Sequence, residues 1–190
     1  MSFTFPPLIW AQEEPGKIII ETVDKGLMIL KDPTLQMVEK WPERRQKMWE
    51  LLEPVFSFEQ ISKRALGRHW KTCTIQQRQE FTQLFTEILK DAYLVKADRY
   101  YGQKIVYIQE KVRGNRSKIR TNFITNDGKK IAVTFSMIKN SESWKIYDVI
   151  IEGVSMVGNY RSQFNSILMK SSFEELLQKM TEKRDALSQN

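Results

Sequence analysis

The chain of 190 residues has a single cysteine, Cys73, and a single histidine, His69. One thiol excludes an internal disulfide, a cysteine-based zinc cluster and a CxxC redox pair, and one imidazole leaves almost no metal chemistry. Glycine is scarce at eight residues, and no GxGxxG, GxxxxGKS or GxxxxGKT run occurs, so the nucleotide-cradling loops are missing. No apolar run approaches the roughly 20 residues of a membrane-spanning helix. The opening stretch, Met1 to Trp10, is mildly apolar, but Pro6-Pro7 interrupts it and no basic leader precedes it, so it does not read as a secretory signal. The sequence leaves the compartment open.

What is present suits a globular body. Hydrophobic residues make up 41% and aromatics 11%, enough for a core, while 28% charged residues give a well-solvated surface. The length fits one domain, residues 1–190, or one compact body of two packed parts. Net charge is +7, which favours anionic partners, although the cations are spread along the chain as a merely soluble surface would have them.

Periodicity divides the chain into a helical half, about 15–101, and a sheet with closing helices, about 104–187. From Pro15 to Lys31 apolar residues recur at Ile19, Val23, Leu27 and Leu30, the spacing of one helix face, with Pro15 in the first turn and Asp32-Pro33 as the stop. Pro42 opens another helix carrying Met48, Leu51, Leu52 and Val55. Ser57 with Gln60, and Thr74 with Gln77, have the spacing of capping boxes for two more. The second of these carries Phe81, Leu84, Phe85, Ile88 and Leu89. Four strands are then expected, at 104–112, 117–125, 129–138 and 143–152, joined by short connections that include Asp127-Gly128. Such connections imply an antiparallel meander. Two amphipathic helices close the chain, one on Val157, Tyr160, Phe164 and Ile167, the other on Phe173, Leu176, Leu177 and Met180.

Catalytic chemistry finds few candidates. His69 and Cys73 would share a helix face at a spacing of four, yet Gly67 and the Thr74 cap argue for a helix end there; a buried thiol and a surface imidazole is the plainer reading. Asp148 and Glu152, four apart on the last strand, would lie about 13 Å apart, too far for a coupled acid–base pair. Asp148 fits a structural hydrogen bond or ion pair. Basic residues from Lys111 to Lys118, with Tyr107 and Phe123 nearby, offer a stacking platform for nucleic acid or, more simply, a solvated hairpin tip.

The sheet carries more apolar residues than one buried face requires. By strict alternation Ile131, Val133, Phe135 and Met137 share a face, as do Trp144, Ile146 and Ile150, while Tyr147, Val149 and Ile151 take the opposite side of their strand. Two apolar faces need helices over both, or a ligand.

The run from Trp144 to Leu168 resembles the signature of the MlaC (toluene-tolerance) family of periplasmic phospholipid-binding proteins. Trp144, Tyr147, Asp148, Glu152, Gly153, Val154, Ser155, Asn159, Tyr160, Arg161 and Phe164 fit it. Upstream, Phe58, Ser62, Leu66-Gly67-Arg68, Trp70, Gln79, Phe81, Phe85, Leu89 and Tyr93 fit the same family. The basic segment Arg99 to Lys118 departs from it, being more charged and without a family motif, and Gly158 stands at a variable position. The resemblance implies an α+β fold, a four-stranded twisted antiparallel sheet half-wrapped by about six or seven helices around an apolar lipid cavity. It implies a non-enzymatic periplasmic carrier, without cofactor, whose cargo is a glycerophospholipid. Its partners would be an inner-membrane ABC-type transporter complex with its substrate-binding ring and an outer-membrane lipoprotein–porin complex, with no role for nucleic acid. Val133, Phe135, Met137, Tyr147, Val149, Ile151, Val154, Met156, Tyr160 and Phe164 are the expected lining, so a charge at Val149 or Val154 should expel lipid. Arg161 is expected in an ion pair with Asp148 or Glu152. Other readings are a non-lipid interaction module with a basic surface and an enzyme of the nuclear-transport-factor-two-like kind.

Overall fold

The structure, a computed structural model, describes residues 14–97, 104–140 and 143–188. The apolar start Met1 to Trp10, the last part of the expected helical half at 98–101 and Arg99 of the basic segment lie outside the described residues.

Six α-helices and five strands make up the described fold: α1 Pro15–Lys31, α2 Trp41–Leu52, α3 Phe58–Leu66, α4 Ile75–Ala97, β1 Lys104–Arg113, β2 Arg116–Ile124, β3 Lys130–Lys139, β4 Trp144–Ile151, β5 Val154–Ser155, α5 Met156–Leu168 and α6 Phe173–Ser188. The strands form one antiparallel meander in chain order. The expected sheet had four strands; the fifth is two residues long and too short to leave a periodic trace. It forms because Glu152 and Gly153 both take positive φ, 48° and 81°, and fold the chain back on β4. Glutamate pays sterically for that conformation. The turn is pinned from both sides: Glu152 N–H donates to the Ala132 carbonyl at 2.9 Å, and Ala132 N–H donates to the Glu152 carboxylate.

Helix starts follow local chemistry, with one exception. Thr74 and Gln77 form the reciprocal box, Gln77 N–H to Thr74 Oγ1 at 3.1 Å and Thr74 N–H to Gln77 Oε1 at 2.9 Å. Ser57 makes no side-chain cap. Its backbone N–H instead donates to Ile146 O at 2.8 Å, because Phe56 and Ser57 lie as a short parallel bridge along β4.

Two main cores result. Helices α3, α4, α5 and α6 enclose Ile61, Leu66, Phe81, Phe85, Tyr160, Phe164 and Leu176. The second core joins one face of the sheet, at Ile119, Val133, Phe135, Met137, Trp144 and Ile146, to Ile19 of α1. Phe56 packs against both.

Candidate functional site: an apolar cavity between sheet and helices

The face of β4 that meets α1 is set by a β-bulge. Ser136 pairs with Asp148 but Met137 pairs with Ile146, so Tyr147 is an extra residue with no partner. Beyond such a bulge the alternation resets. Trp144 and Ile146 on one side of the bulge, and Val149 and Ile151 on the other, therefore share the face of Val133, Phe135 and Met137. Strict alternation had divided these four residues between opposite faces. Tyr147 leaves that face, and its ring lies 3.8 Å under the Arg64 guanidinium of α3.

This continuous apolar face does not close on the helices. Between it and α1 and α2 lies a cavity of about 360 Å³. The sheet contributes Phe123, Ile131, Val133, Phe135, Ile146, Val149 and Ile151, and α1 contributes Ile19, Val23, Leu27 and Leu30. Gly26 faces Met48 of α2, and Thr22 supplies the one polar side chain in the lining among the described residues. A second cavity of about 150 Å³ lies among α2, α3 and α4, with Lys90, Tyr93 and Met156 in its lining. Leu52, Phe56, Val149 and Ile151 border both. Ile151 is 43% exposed, so the shared wall reaches solvent.

The expected lining residues divide accordingly. Val133, Phe135, Val149 and Ile151 line the larger cavity, and Val149, Ile151 and Met156 the smaller one. Met137 is fully buried in the sheet core beyond the cavity. Tyr160 and Phe164 belong to the helical core, where Phe85 meets Tyr160 at 4.8 Å and Phe164 at 5.2 Å between ring centroids. Val154, 64% exposed on β5, borders neither cavity, because the Glu152-Gly153 turn swings it outward. Missed by the expected lining of the larger cavity are the α1 stripe with Thr22, Met48 and Leu52 of α2, and Phe56, Phe123, Ile131 and Ile146. The stripe was legible as periodicity, but periodicity does not tell a packed face from an unfilled one.

Polar groups of the motif are engaged in holding the fold. Asp148 accepts from Ser155 Oγ at 2.6 Å and from Val157 N–H at 3.0 Å, while Ser155 Oγ accepts from Gly158 N–H at 2.8 Å. Carboxylate and hydroxyl together cap α5 and tie it to β4. Arg161 consequently pairs with neither expected carboxylate. Its guanidinium lies across Gly67, where an added Cβ would stand 2.9 Å from Nε. Cys73 Sγ donates to the His69 carbonyl at 3.2 Å, whereas His69 Nε2 faces Asn165 Oδ1 at 3.1 Å, so thiol and imidazole are not joined as a dyad. Burial pushes the Cys73 thiol up from its ordinary pKa. Burial, with Asp148 nearby, does the same to the Tyr93 hydroxyl.

Among the described residues no three His, Cys, Asp or Glu side chains group as a metal site, and no helix is long and apolar enough to cross a membrane. Nor do Tyr107 and Phe123 flank the basic residues of β1 and β2 as a stacking platform. Their partners in the register are Thr121 and Ile105, on the cavity side of the sheet.

Similarity to known proteins agrees with this architecture. An intermembrane phospholipid transport system binding protein MlaC from Haemophilus influenzae is 31% identical over 134 residues, 68% of this chain and 63% of the relative's length. The toluene tolerance protein ttg2D of Pseudomonas putida is 24% identical over 169 residues, 88% of this chain and 79% of that protein. A phospholipid-binding protein from Ralstonia solanacearum, solved in complex with a phospholipid, superposes with a TM-score of 0.80 over 93% of this chain and 99% of its own; at 23% identity that likeness speaks for the fold. The family profile described as MlaC protein matches residues 20–182, nearly the whole described fold, and the chain belongs to the MlaC family.

Proposed function

We propose that this protein is a periplasmic carrier that holds a glycerophospholipid by its acyl chains and moves it between the inner and outer membranes. The observation that carries the reading is the lining of the larger cavity, where among the described residues Thr22 is the one polar side chain and no titratable group is present. Such a space offers nothing to a reacting substrate and everything to a hydrocarbon chain. The relatives' names, which speak of phospholipid transport and phospholipid binding rather than of a reaction, support the same class.

Two chains of about fifteen methylenes each carry about 24 kcal/mol of transfer free energy, which the lining has to match for lipid to leave a bilayer. The larger cavity, about 360 Å³, is at the lower end of the 300–1,000 Å³ typical of small-molecule sites. Loading a two-chain lipid therefore widens it, and Leu52, Phe56, Val149 and Ile151, which separate the two cavities, are the side chains that move. Lys90 and Tyr93, which with Trp49 bring polar atoms to the lining of the smaller cavity, suit the glycerol and phosphate region. Exchange partners in this reading are an inner-membrane ABC-type transporter complex with its substrate-binding ring and an outer-membrane lipoprotein–porin complex.

Native mass spectrometry with organic extraction tests the proposal. A mass excess matching a phospholipid and released by solvent is expected. A protein that stays at its apo mass after incubation with liposomes would refute the carrier reading.

A further inference from the structure

The side of the sheet turned away from the cavity has a character of its own. Register places Lys111, Arg113, Arg116, Lys118 and Arg120 there, each exposed and on the face opposite Val112, Ser117 and Ile119. Lys111 stands directly across from Lys118, and Arg113 from Arg116. Neighbouring strands are about 4.8 Å apart and same-face residues about 6.7 Å apart along a strand, so the five cations crowd into one narrow band. Like charges placed opposite each other destabilise a strand pair. A surface built only for solubility avoids this by mixing signs. Here no acidic residue occupies the same face of β1 or β2, and none of the five cations forms an ion pair among the described residues.

We propose that this face is an electrostatic docking surface for an anionic phospholipid bilayer. Three observations favour a bilayer over a nucleic acid or an acidic protein. Among the described residues of β1 and β2 no aromatic side chain lies on the cationic face, which argues against base stacking there. The cations sit on exposed, unpartnered side chains, an arrangement that senses the density of negative charge rather than the shape of one partner. Beside them on the edge strand, Val106 and the bulge residue Ile108 are 37% and 49% exposed, so apolar groups adjoin the positive band as they do in interfacial anchors. The surface is on the reverse of the cavity and stands without the carrier reading. It would hold the protein at a charged membrane whatever the cavity contains.

Co-sedimentation of the full chain with vesicles of phosphatidylcholine alone, or of phosphatidylcholine and phosphatidylglycerol in equal parts, tests it. Retention on the mixed vesicles at low salt, and its loss at about 0.5 M salt, are expected. The triple substitution Arg116→Ser, Lys118→Ser and Arg120→Ser is expected to weaken retention about 100-fold, about fivefold for each charge removed. The charge-preserving pair Arg116→Lys and Arg120→Lys is expected to keep it. Removing like charges from opposite positions relieves repulsion, so a melting temperature at or above that of the parent will certify the triple variant as folded. Equal retention on neutral vesicles would overturn the proposal, as would full retention by the triple variant. Capture by soluble polyglutamate or by single-stranded DNA in place of the mixed vesicles would do the same and assign the surface to an acidic polymer. Cargo is read separately by mass spectrometry, so failure of the carrier reading does not imitate failure of this one.

Discussion

Val149 borders both cavities from β4, opposite Phe135 on β3, and a carboxylate there puts the carrier reading at risk. With Val149→Asp, the empty protein keeps water near the new group, since neighbouring Ile151 is 43% exposed. The cost to folding is then mainly the lost packing of one isopropyl group, about 1–2 kcal/mol. Acyl chains entering the cavity expel that water, and among the described residues the walls of the larger cavity offer only Thr22 as a polar partner. Leaving a charge buried and uncompensated costs about 3–5 kcal/mol, which weakens lipid binding about 150- to 5,000-fold. The assay is bound phospholipid per protein by native mass spectrometry, with a melting curve on the same sample. Val154→Asp is the matched control: its site is 64% exposed and borders neither cavity, so lipid is expected to remain. A folded Val149→Asp protein with a full load of lipid would refute the assignment of the cavity. Loss of lipid from Val154→Asp alone would move the site to β5.

Asp148→Ala deprives Ser155 Oγ and Val157 N–H of their acceptor and is expected to lower stability by about 3 kcal/mol in chemical denaturation; a double-mutant cycle with Ser155→Ala should be strongly non-additive. Gly67 has φ 57° and lies under Arg161, so Gly67→Ala is expected to cost about 2 kcal/mol, only part of it recovered by Arg161→Ala because the backbone strain stays. Burial, with Tyr93 adding to it, raises the Tyr160 hydroxyl to about 12. A folded-state pKa above the unfolded value gives stability that is intact below about pH 10 and lost as pH climbs towards 12. The loss attributable to Tyr160 is about 3 kcal/mol, and Tyr160→Phe should flatten that alkaline limb in pH-dependent melts. Tyr107, also raised to about 12 by burial and by its bond to Glu110, leaves a smaller residual limb.

Much of this fold can be read from the chain because its causes are local. Asp127-Gly128, Thr74 with Gln77, and the Ile19, Val23, Leu27 and Leu30 stripe act within a few residues of themselves, and the elements appear where these patterns put them. The family signature was likewise legible, and its meaning is structural: Asp148, Ser155, Glu152 and Gly153 make the turn and cap that fasten α5 to the sheet. Ser57 shows the limit, since a distant strand took the backbone its cap would have organised.

The sequence by itself determined that helices, a meander and an excess of apolar surface would exist, and that thiol and imidazole chemistry would be nearly absent. Only tertiary structure decided which apolar residues face one another. A single unpaired residue, Tyr147, reverses the parity of its strand, bringing Ile146 and Val149 to one wall and sending its own ring to Arg64. Tyr160 and Phe164 were drawn the other way, into the helical core, by Phe81 and Phe85. Alternation and helical period fix direction only relative to the chain's own axis; where a face points depends on partners far along the sequence.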